Sequence, residues 1–239
     1  MPEPRTWPLV VASVDDVTPH MRRIQLTSPG LDAFEYLPGQ DLALGFLRDG
    51  AGVVRRRYTI RRFDRVRRLL DLEFVMHGDG PGVRWAQAAR PGVSIEAIGP
   101  RGKITLAPAA DWHLFAGDAT ALPGAFAMME ALPADVPARA CLEVDGPDER
   151  QLVALGQSNK TVSWQYVGVQ PGLLGAVSVD GGSAAESRHA YLAGEVALVT
   201  ALKSRLIARG WTADQISAKA YWNLGRANAG HGEPELKAS

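Results

Sequence analysis

The sequence has 239 residues, of which 46% are apolar and 22% are charged. This composition is typical of a globular protein and excludes disorder along the whole chain. The 26 basic residues equal the 26 acidic ones, so no global field attracts the molecule to nucleic acid or to an anionic membrane, and we expect neither as a partner. The length is sufficient for two modest domains, each with its own core.

The compartment is indicated by the single cysteine and by the start of the sequence. Cys141 lies in an apolar stretch and has no second cysteine to pair with, which favours a reducing environment. The first seven residues lack a basic segment followed by a long apolar one, and no run reaches the roughly 18 to 20 apolar residues of a membrane span. We therefore expect a cytoplasmic protein without a membrane span, and nothing in the sequence demands more than a monomer.

The first hundred residues alternate apolar and polar side chains with a period of two, which predicts half-buried β-strands. Turn sequences rich in proline and glycine separate these runs. We expect an antiparallel barrel over residues 1–106, with one helix that follows the glycine-rich residues 78–82 and covers residues 83–88. The predicted strands centre on residues 24–26, 42–46, 58–60, 70–76 and 93–97.

From about residue 107 short apolar strands alternate with helical stretches, which is typical of a parallel sheet with crossover helices. The clearest helix covers residues 195–209, and Gly210 is placed to end it. We expect an α/β domain over residues 107–239, with a frayed tail from residue 228. Its predicted strands are residues 113–116, 138–144, 161–167 and 190–193.

A dense cluster of arginines lies between residues 55 and 68 and allows three interpretations. It could be a nucleic-acid surface, although the neutral net charge argues against this. It could be a solvated basic strand edge that prevents aggregation. It could also hold a phosphate, because a glycine-rich turn into a helix follows about twenty residues later, where backbone amides favour an anion. Alternation with Tyr58 and Ile60 predicts that the arginines share one face of the strand.

Other kinds of site are excluded by spacing. The five histidines and Cys141 show no metal-ligand spacing, so we expect no protein metal site. Neither the Gly-x-Ser-x-Gly motif of a hydrolase nor the Gly-x-Gly-x-x-Gly motif of a dinucleotide-binding turn occurs at the expected places. The residues alone support a β domain followed by an α/β domain, with a plausible phosphate site.

Six sequence blocks in order resemble the siderophore-interacting protein family. The first is Arg56-Arg57-Tyr58-Thr59 with the Ile-Arg-Arg-Phe-Asp that follows, which is similar to the flavin motif of the family. The others cover residues 74–80, 84–86 with 99–102, 116–123, 193–195 and 221–225. The family consists of FAD-dependent ferric-siderophore reductases that are distantly related to ferredoxin-NADP reductases. The resemblance implies an FAD-binding barrel, an NAD(P)H-binding α/β domain, and electron transfer from NADH or NADPH to a ferric siderophore.

The resemblance also implies roles for individual residues. Arg56 would contact the FAD pyrophosphate, Tyr58 would lie against the flavin ring, and Thr59 would bond its edge. Asp118 and Thr120 would lie where nicotinamide and flavin meet. The expected catalytic residues are Tyr58, Thr59, Asp118 and Thr120. The remaining expected cofactor contacts are Arg57, Val75, His77, Gly82, Val83, Glu195 and Trp222. The expected contacts to the anionic siderophore are Arg48, Arg101, Lys103 and Arg226.

The sequence departs from the family pattern mainly at the substrate and donor ends. Ala119 stands where a glutamate is common, and Ala43 where a lysine is common. The glycine-rich turn is about one residue shorter, and the block at Trp164 lacks a usual His-Arg pair. Two alternatives therefore stay open: a related flavin reductase with another electron acceptor, and a non-catalytic protein that binds flavin or siderophore.

Overall fold

The computed structural model describes residues 5–48, 52–153, 155, 159–177 and 187–224. They fall into two compact units, one ending at Thr105 and the other beginning at Leu106. The predicted frayed tail from residue 228 lies outside the described residues.

The first unit is a closed antiparallel barrel with strand order β1-β2-β5-β4-β3-β6. Its strands alternate between buried apolar residues and outward-facing polar ones, as the period of two predicts. Leu42, Leu44 and Phe46 illustrate this, since all three are buried in the barrel core. The elements are β1 (Arg5–Thr18), β2 (Met21–Thr27), β3 (Asp41–Arg48), β4 (Gly52–Asp64), β5 (Leu69–Val75), α1 (Pro81–Ala88) and β6 (Ser94–Arg101).

The long first strand β1 was not predicted from the sequence. Pro8 argues against a strand, because proline cannot donate to the hydrogen-bond ladder. The structure tolerates Pro8 because β1 changes partners along its length: Arg5 to Val10 pair with β6, whereas pairing with β2 begins only at Val10. Pro8 thus lies where β1 has a single neighbouring strand.

The second unit is a five-stranded sheet in which every pair is parallel, in the order β11-β10-β7-β8-β9. The chain winds outward from β7 in one direction and then returns to β10 on its other side. In such sheets the crevice at the carboxyl ends of the two central strands is where ligands bind. The elements are β7 (Trp112–Gly117), α2 (Leu122–Ala131), β8 (Ala138–Val144), β9 (Lys160–Tyr166), α3 (Gly172–Ala176), β10 (Arg188–Glu195), α4 (Val196–Ile207) and β11 (Ile216–Trp222).

The central strand and helices of this unit explain why the sheet is buried. All six residues of β7 are buried, as expected for a strand covered on both faces. Helix α4 buries Val199, Leu202 and Leu206 and is two residues shorter at its C-terminal end than predicted. Gly210, with φ of +83°, adopts the left-handed conformation beyond that end. In the part of the chain that the structure describes, every helix is too short or too polar to cross a bilayer.

Candidate functional site

Tyr58 lies in β4 with its ring packed on the aromatic core of the barrel. Its centroid is 4.1 Å from that of Phe74 and 6.1 Å from that of Phe46. Its hydroxyl reaches the first turn of α1, where a Cβ on Gly82 would stand only 1.9 Å from the oxygen. Glycine is therefore required at position 82, because any larger residue would displace the tyrosine.

Burial raises the pKa of the Tyr58 phenol above its ordinary range, and the positive charge of Arg56 acts in the opposite direction. The phenol therefore stays protonated at neutral pH and keeps a proton to donate. Arg56 stands two residues before Tyr58 on β4, so the two side chains leave the strand on the same face. Arg56, the Tyr58 hydroxyl and the start of α1 thus lie on one side of β4, where the Arg56 guanidinium donates to the carbonyl of Arg55 at 2.9 Å.

The start of α1 is arranged to accept an anion. Its N-cap is Gly80, which offers no side chain to the amides of the first turn. Those amides carry the positive end of the helix dipole, a frequent phosphate-binding arrangement. A Cβ at Gly78 or Gly80 would meet nothing within 4 Å among the described residues, so the approach to the turn is open. Together with Arg56, this arrangement fits the pyrophosphate of FAD.

The acidic residue in this turn does not oppose an anion. The carboxylate of Asp79 is 85% exposed and lies 3.1 Å from the guanidinium of Arg84. Arg84 also donates to the backbone carbonyl of Asp79, at 2.7 Å. The negative charge is thereby paired in solvent, which weakens its repulsion of an anion at this turn.

The prediction that the arginines share one face is wrong for β4. Consecutive strand residues point to opposite faces, so Arg56 shares a face with Tyr58, whereas Arg55 and Arg57 lie on the other. Arg57 is bound to the buried carboxylate of Asp41 at 2.8 Å. Arg55 pairs with Glu96 at 2.9 Å. The structure therefore brings Arg56, but not Arg57, to Tyr58.

Other parts of the arginine cluster are also engaged with acidic groups. Arg61 is buried beside Glu73, with 3.8 Å between its Nε and the carboxylate. Arg68 lies 2.5 Å from Asp32. The cluster is therefore a set of separate ion pairs around the barrel rather than one continuous basic surface.

The remaining barrel residues of the predicted site are spread along neighbouring elements. Thr59 is half-buried in β4 opposite Asp41. Val75, at the end of β5, and Val83, in the first turn of α1, are half-buried, and His77 is exposed. Of the predicted substrate contacts, Arg101 and Lys103 are exposed, Arg48 ends β3, and Arg226 lies outside the described residues.

In the second unit, the carboxylate of Asp118 lies at the carboxyl end of β7 and accepts four hydrogen bonds. Oδ1 accepts from the amide of Thr120 at 2.9 Å and from its hydroxyl at 2.5 Å. Oδ2 accepts from the amide of Glu195 at 2.7 Å and from the indole Nε1 of Trp222 at 2.9 Å. The carboxylate therefore ties together the ends of β7, β10 and β11.

Two glycines allow these strand ends to approach each other. A Cβ on Gly117 would stand 2.0 Å from the carbonyl oxygen of Ala193, and a Cβ on Gly194 would stand 2.5 Å from Asp118 Oδ2. Gly194 also has φ of +135°, which disfavours any other residue. The functional importance of these glycines was not recognised from the sequence, although a glycine at the end of each central strand was a usable signal.

Glu195 is engaged at the start of α4. Its Oε2 accepts from the amides of Ala197 and Leu198, so it is the N-cap of the helix. Its Oε1 accepts from the amide of Leu224 at 3.4 Å. The structure thus brings Asp118, Thr120, Glu195 and Trp222 together in one cluster within the second unit.

Comparison with known proteins places both units in one family. The profile described as "Siderophore-interacting FAD-binding domain" matches residues 40–104, and the one described as "Siderophore-interacting protein" matches residues 110–225. The ferric vibriobactin reductase ViuB of Vibrio cholerae is 34% identical over 183 residues, which cover 72% of this chain and 66% of ViuB. The chain spans 66% of the length of ViuB and 64% of the length of three mycobacterial relatives that are also 34% identical to it.

Solved structures agree with this assignment. A siderophore utilization protein from T. fusca is 29% identical, with a TM-score of 0.84 and 97% coverage of both chains. A ferredoxin NADP+ reductase from Neisseria gonorrhoeae, 17% identical, has a TM-score of 0.71 and covers 90% of this chain and 98% of its own. This second likeness confirms the predicted ferredoxin-NADP-reductase-like fold, a barrel followed by a parallel α/β sheet. The chain belongs to the siderophore-interacting protein family.

Proposed function

We propose that the protein is a cytoplasmic, monomeric FAD-dependent oxidoreductase that passes electrons from NADH or NADPH to a ferric siderophore. The observation that carries this proposal is the convergence of Arg56, the Tyr58 hydroxyl and the uncapped first turn of α1. A guanidinium, a neutral phenol and helix amides form a donor set that suits a pyrophosphate next to an aromatic ring. The matched FAD-binding profile covers these residues.

The proposed donor site is the carboxyl edge of the parallel sheet, around Thr120, Glu195 and Trp222. It lies at the point where the strand order reverses, which is the usual nucleotide-binding position in open α/β sheets. The Neisseria gonorrhoeae reductase, which has the same fold, is described with bound FAD and NADP.

FAD, when bound, accepts a hydride from a nicotinamide and returns electrons one at a time, as ferric iron requires. The residues of the chain hold and orient the reactants. Arg56 and the α1 amides would bind the phosphates, and the protonated Tyr58 would donate a hydrogen bond. Arg101 and Lys103 are exposed cations that would attract an anionic ferric chelate. Oxygen ligands hold ferric iron more tightly than ferrous iron, so reduction of the chelate releases the metal.

One specific observation favours an electron acceptor other than a ferric siderophore. Position 43, where the family commonly carries a lysine, is a buried alanine opposite Arg57 in the β3–β4 pair. A cation that would help to bind an anionic siderophore is therefore missing from β3. We accordingly propose, as the alternative, a flavin reductase that serves another one-electron acceptor.

An anaerobic visible spectrum tests the proposed function. Purified protein loaded with FAD is titrated with NADH or NADPH and then with a ferric siderophore and a ferrous trap. Bleaching of the flavin bands followed by their return and by trapped ferrous iron is expected. Flavin that bleaches but does not reduce the chelate would support the alternative acceptor, and absence of flavin binding would overturn the proposal.

Arg56→Ala is expected to weaken FAD binding by roughly tenfold to a hundredfold, the effect of losing a charge-assisted hydrogen bond. Arg55→Ala is the matched control, because Arg55 lies on the opposite face of β4 and pairs with Glu96 on the surface. Equilibrium flavin titration measures both. Equal losses in the two variants would show that Arg56 acts only through the general charge of the barrel.

A further inference from the structure

We propose that Asp118 is a positioning residue: it fixes the indole of Trp222 at the nicotinamide site and does not itself act on the nicotinamide. This inference rests on the proposed function for the identity of the ligand. The hydrogen bonds themselves are independent of that function.

The first argument is the saturation of the carboxylate. An ionised carboxylate only accepts hydrogen bonds, and both oxygens of Asp118 already accept two each from groups of the protein. Asp118 is half-buried, so it cannot exchange these donors freely for water. A nicotinamide that needed this carboxylate would have to displace one of its donors.

The second argument is the irregular pairing of β11. This strand pairs with β10 in regular register up to Gly194 and Ala220, but Glu195 then pairs with Trp222, so Tyr221 is an extra residue. Such a bulge turns the side chains that follow it. Because the ladder does not set the direction of the Trp222 indole, the hydrogen bond from Nε1 to Asp118 does so.

The third argument is that the end of β11 is held twice. Asp118 binds the indole of Trp222, and Glu195, whose own amide donates to Asp118, accepts from the amide of Leu224. The close approach of Gly194 to Asp118 Oδ2 leaves no room for the carboxylate to move toward β10. The carboxylate is thus the rigid point to which the Trp222 ring is attached.

The test is a double-mutant cycle with Asp118→Asn and Trp222→Phe. Asparagine keeps the size of Asp118 but places an amide NH2 among groups that are mostly donors. It therefore cannot accept hydrogen bonds at both of the positions where the carboxylate oxygens accept them. Phenylalanine keeps a ring at position 222 without the indole N–H. In FAD-loaded protein we expect Asp118→Asn to raise the KM for the preferred nicotinamide about tenfold in the wild-type background. In the Trp222→Phe background, the same change is expected to raise KM much less.

Asp118→Asn that lowers kcat by the same factor in both backgrounds would overturn the proposal, because Asp118 would then act directly on the reactants. Ser217→Ala serves as a matched control: it removes the hydrogen bond between Ser217 and His189 near the start of β11 and leaves the bond from Trp222 to Asp118 in place, so KM should change little.

A second readout does not depend on turnover. In 15N-labelled protein, the Trp222 indole resonance, identified by its loss in Trp222→Phe, is expected to shift and to exchange faster with solvent in Asp118→Asn, but to stay in place in Ser217→Ala. An unmoved indole resonance in folded Asp118→Asn would overturn the positioning role. If the resonance moves but no nicotinamide reduces the flavin of the wild-type protein, the proposed function fails while the positioning role stands.

Discussion

At the first turn of α1 the amides have no side-chain cap, whereas at the carboxyl edge of the parallel sheet the polar groups bind one another. The barrel turn has a glycine N-cap and glycines with free space around them. The sheet edge has a carboxylate with four donors and glycines with no space at all. The comparison teaches that the first place has amides available for the anion that the proposed function requires, while the second holds its polar groups in a fixed arrangement.

Gly82→Ala is expected to have the largest effect, since its Cβ would lie 1.9 Å from the Tyr58 hydroxyl. Overpacking of this kind costs about 1–3 kcal/mol of unfolding free energy, and displacement of Tyr58 should also abolish FAD binding. Urea unfolding and flavin titration measure the two effects.

Gly80→Ala is the matched control, because its Cβ meets nothing within 4 Å in the described part of the chain. The double variant Gly82→Ala with Tyr58→Phe should recover part of the stability, because the clashing oxygen is gone. No recovery would mean that the tyrosine is not what requires glycine at position 82.

Gly194→Ala is expected to disturb the sheet edge and leave the barrel intact. The new Cβ would lie 2.5 Å from Asp118 Oδ2, at a backbone φ of +135°, so the cost is about 1–3 kcal/mol. We expect a raised KM for the nicotinamide and unchanged FAD content, measured by steady-state kinetics and absorbance. Gly146→Ala, which follows β8 and has open space among the described residues, should be neutral. Loss of FAD from Gly194→Ala would contradict the expectation that the effect of this change stays within the second unit.

A smaller effect is expected from acid at the opposite end of the sheet. His113 and His189 are neighbours on β7 and β10, and burial lowers the pKa of each. The unfolded chain therefore takes up protons first as the pH falls through about 6.5, so unfolding free energy is lost below that pH and is fully present above it.

His189→Gln should reduce this acid-dependent loss, by about 1 kcal/mol or less, when urea unfolding is compared at pH 7.5 and 5.5. Glutamine retains a group able to bond Ser217, which lies 2.9 Å from His189 Nε2. Thr200→Val, on the exposed side of α4, is the control, because it alters a hydrogen bond without removing an ionisable group. A wild-type protein equally stable at both pH values would show that these histidines titrate alike in the folded and unfolded states.

The sequence predicted those parts of the fold that depend on local patterns. Alternation identified the inward residues of β3, and a glycine beyond the periodic stretch identified the end of α4. Strand β11 was missed because its buried positions are Ile216 and the small Ala220, which give no strong alternation. Strand β1 was missed because Pro8 argues against a strand, and the sequence does not show that β1 changes its pairing partner.

The candidate site was predictable in its residues but not in its connections. The motif around Tyr58 and the glycine turn pointed to a phosphate site from short-range spacing. Two of the four donors to Asp118 belong to residues 77 and 104 positions away, and only the parallel sheet brings them together. No spacing rule in one sequence reports such contacts, so they are found only in the structure.

The change of partner along β1 also has a consequence for synthesis on the ribosome. Arg5 pairs with Gly99, and the Trp7 indole donates to the carbonyl of Gly99 at 2.8 Å. The pairing of β1 with β6 joins parts of the chain more than ninety residues apart. The loss of entropy on closing this loop therefore occurs only when β6, the last strand of the barrel to emerge, is available. The nascent barrel therefore cannot close along β1 until β6 has left the exit tunnel, and until then the first half of β1, from Arg5 to Leu9, has no strand to pair with.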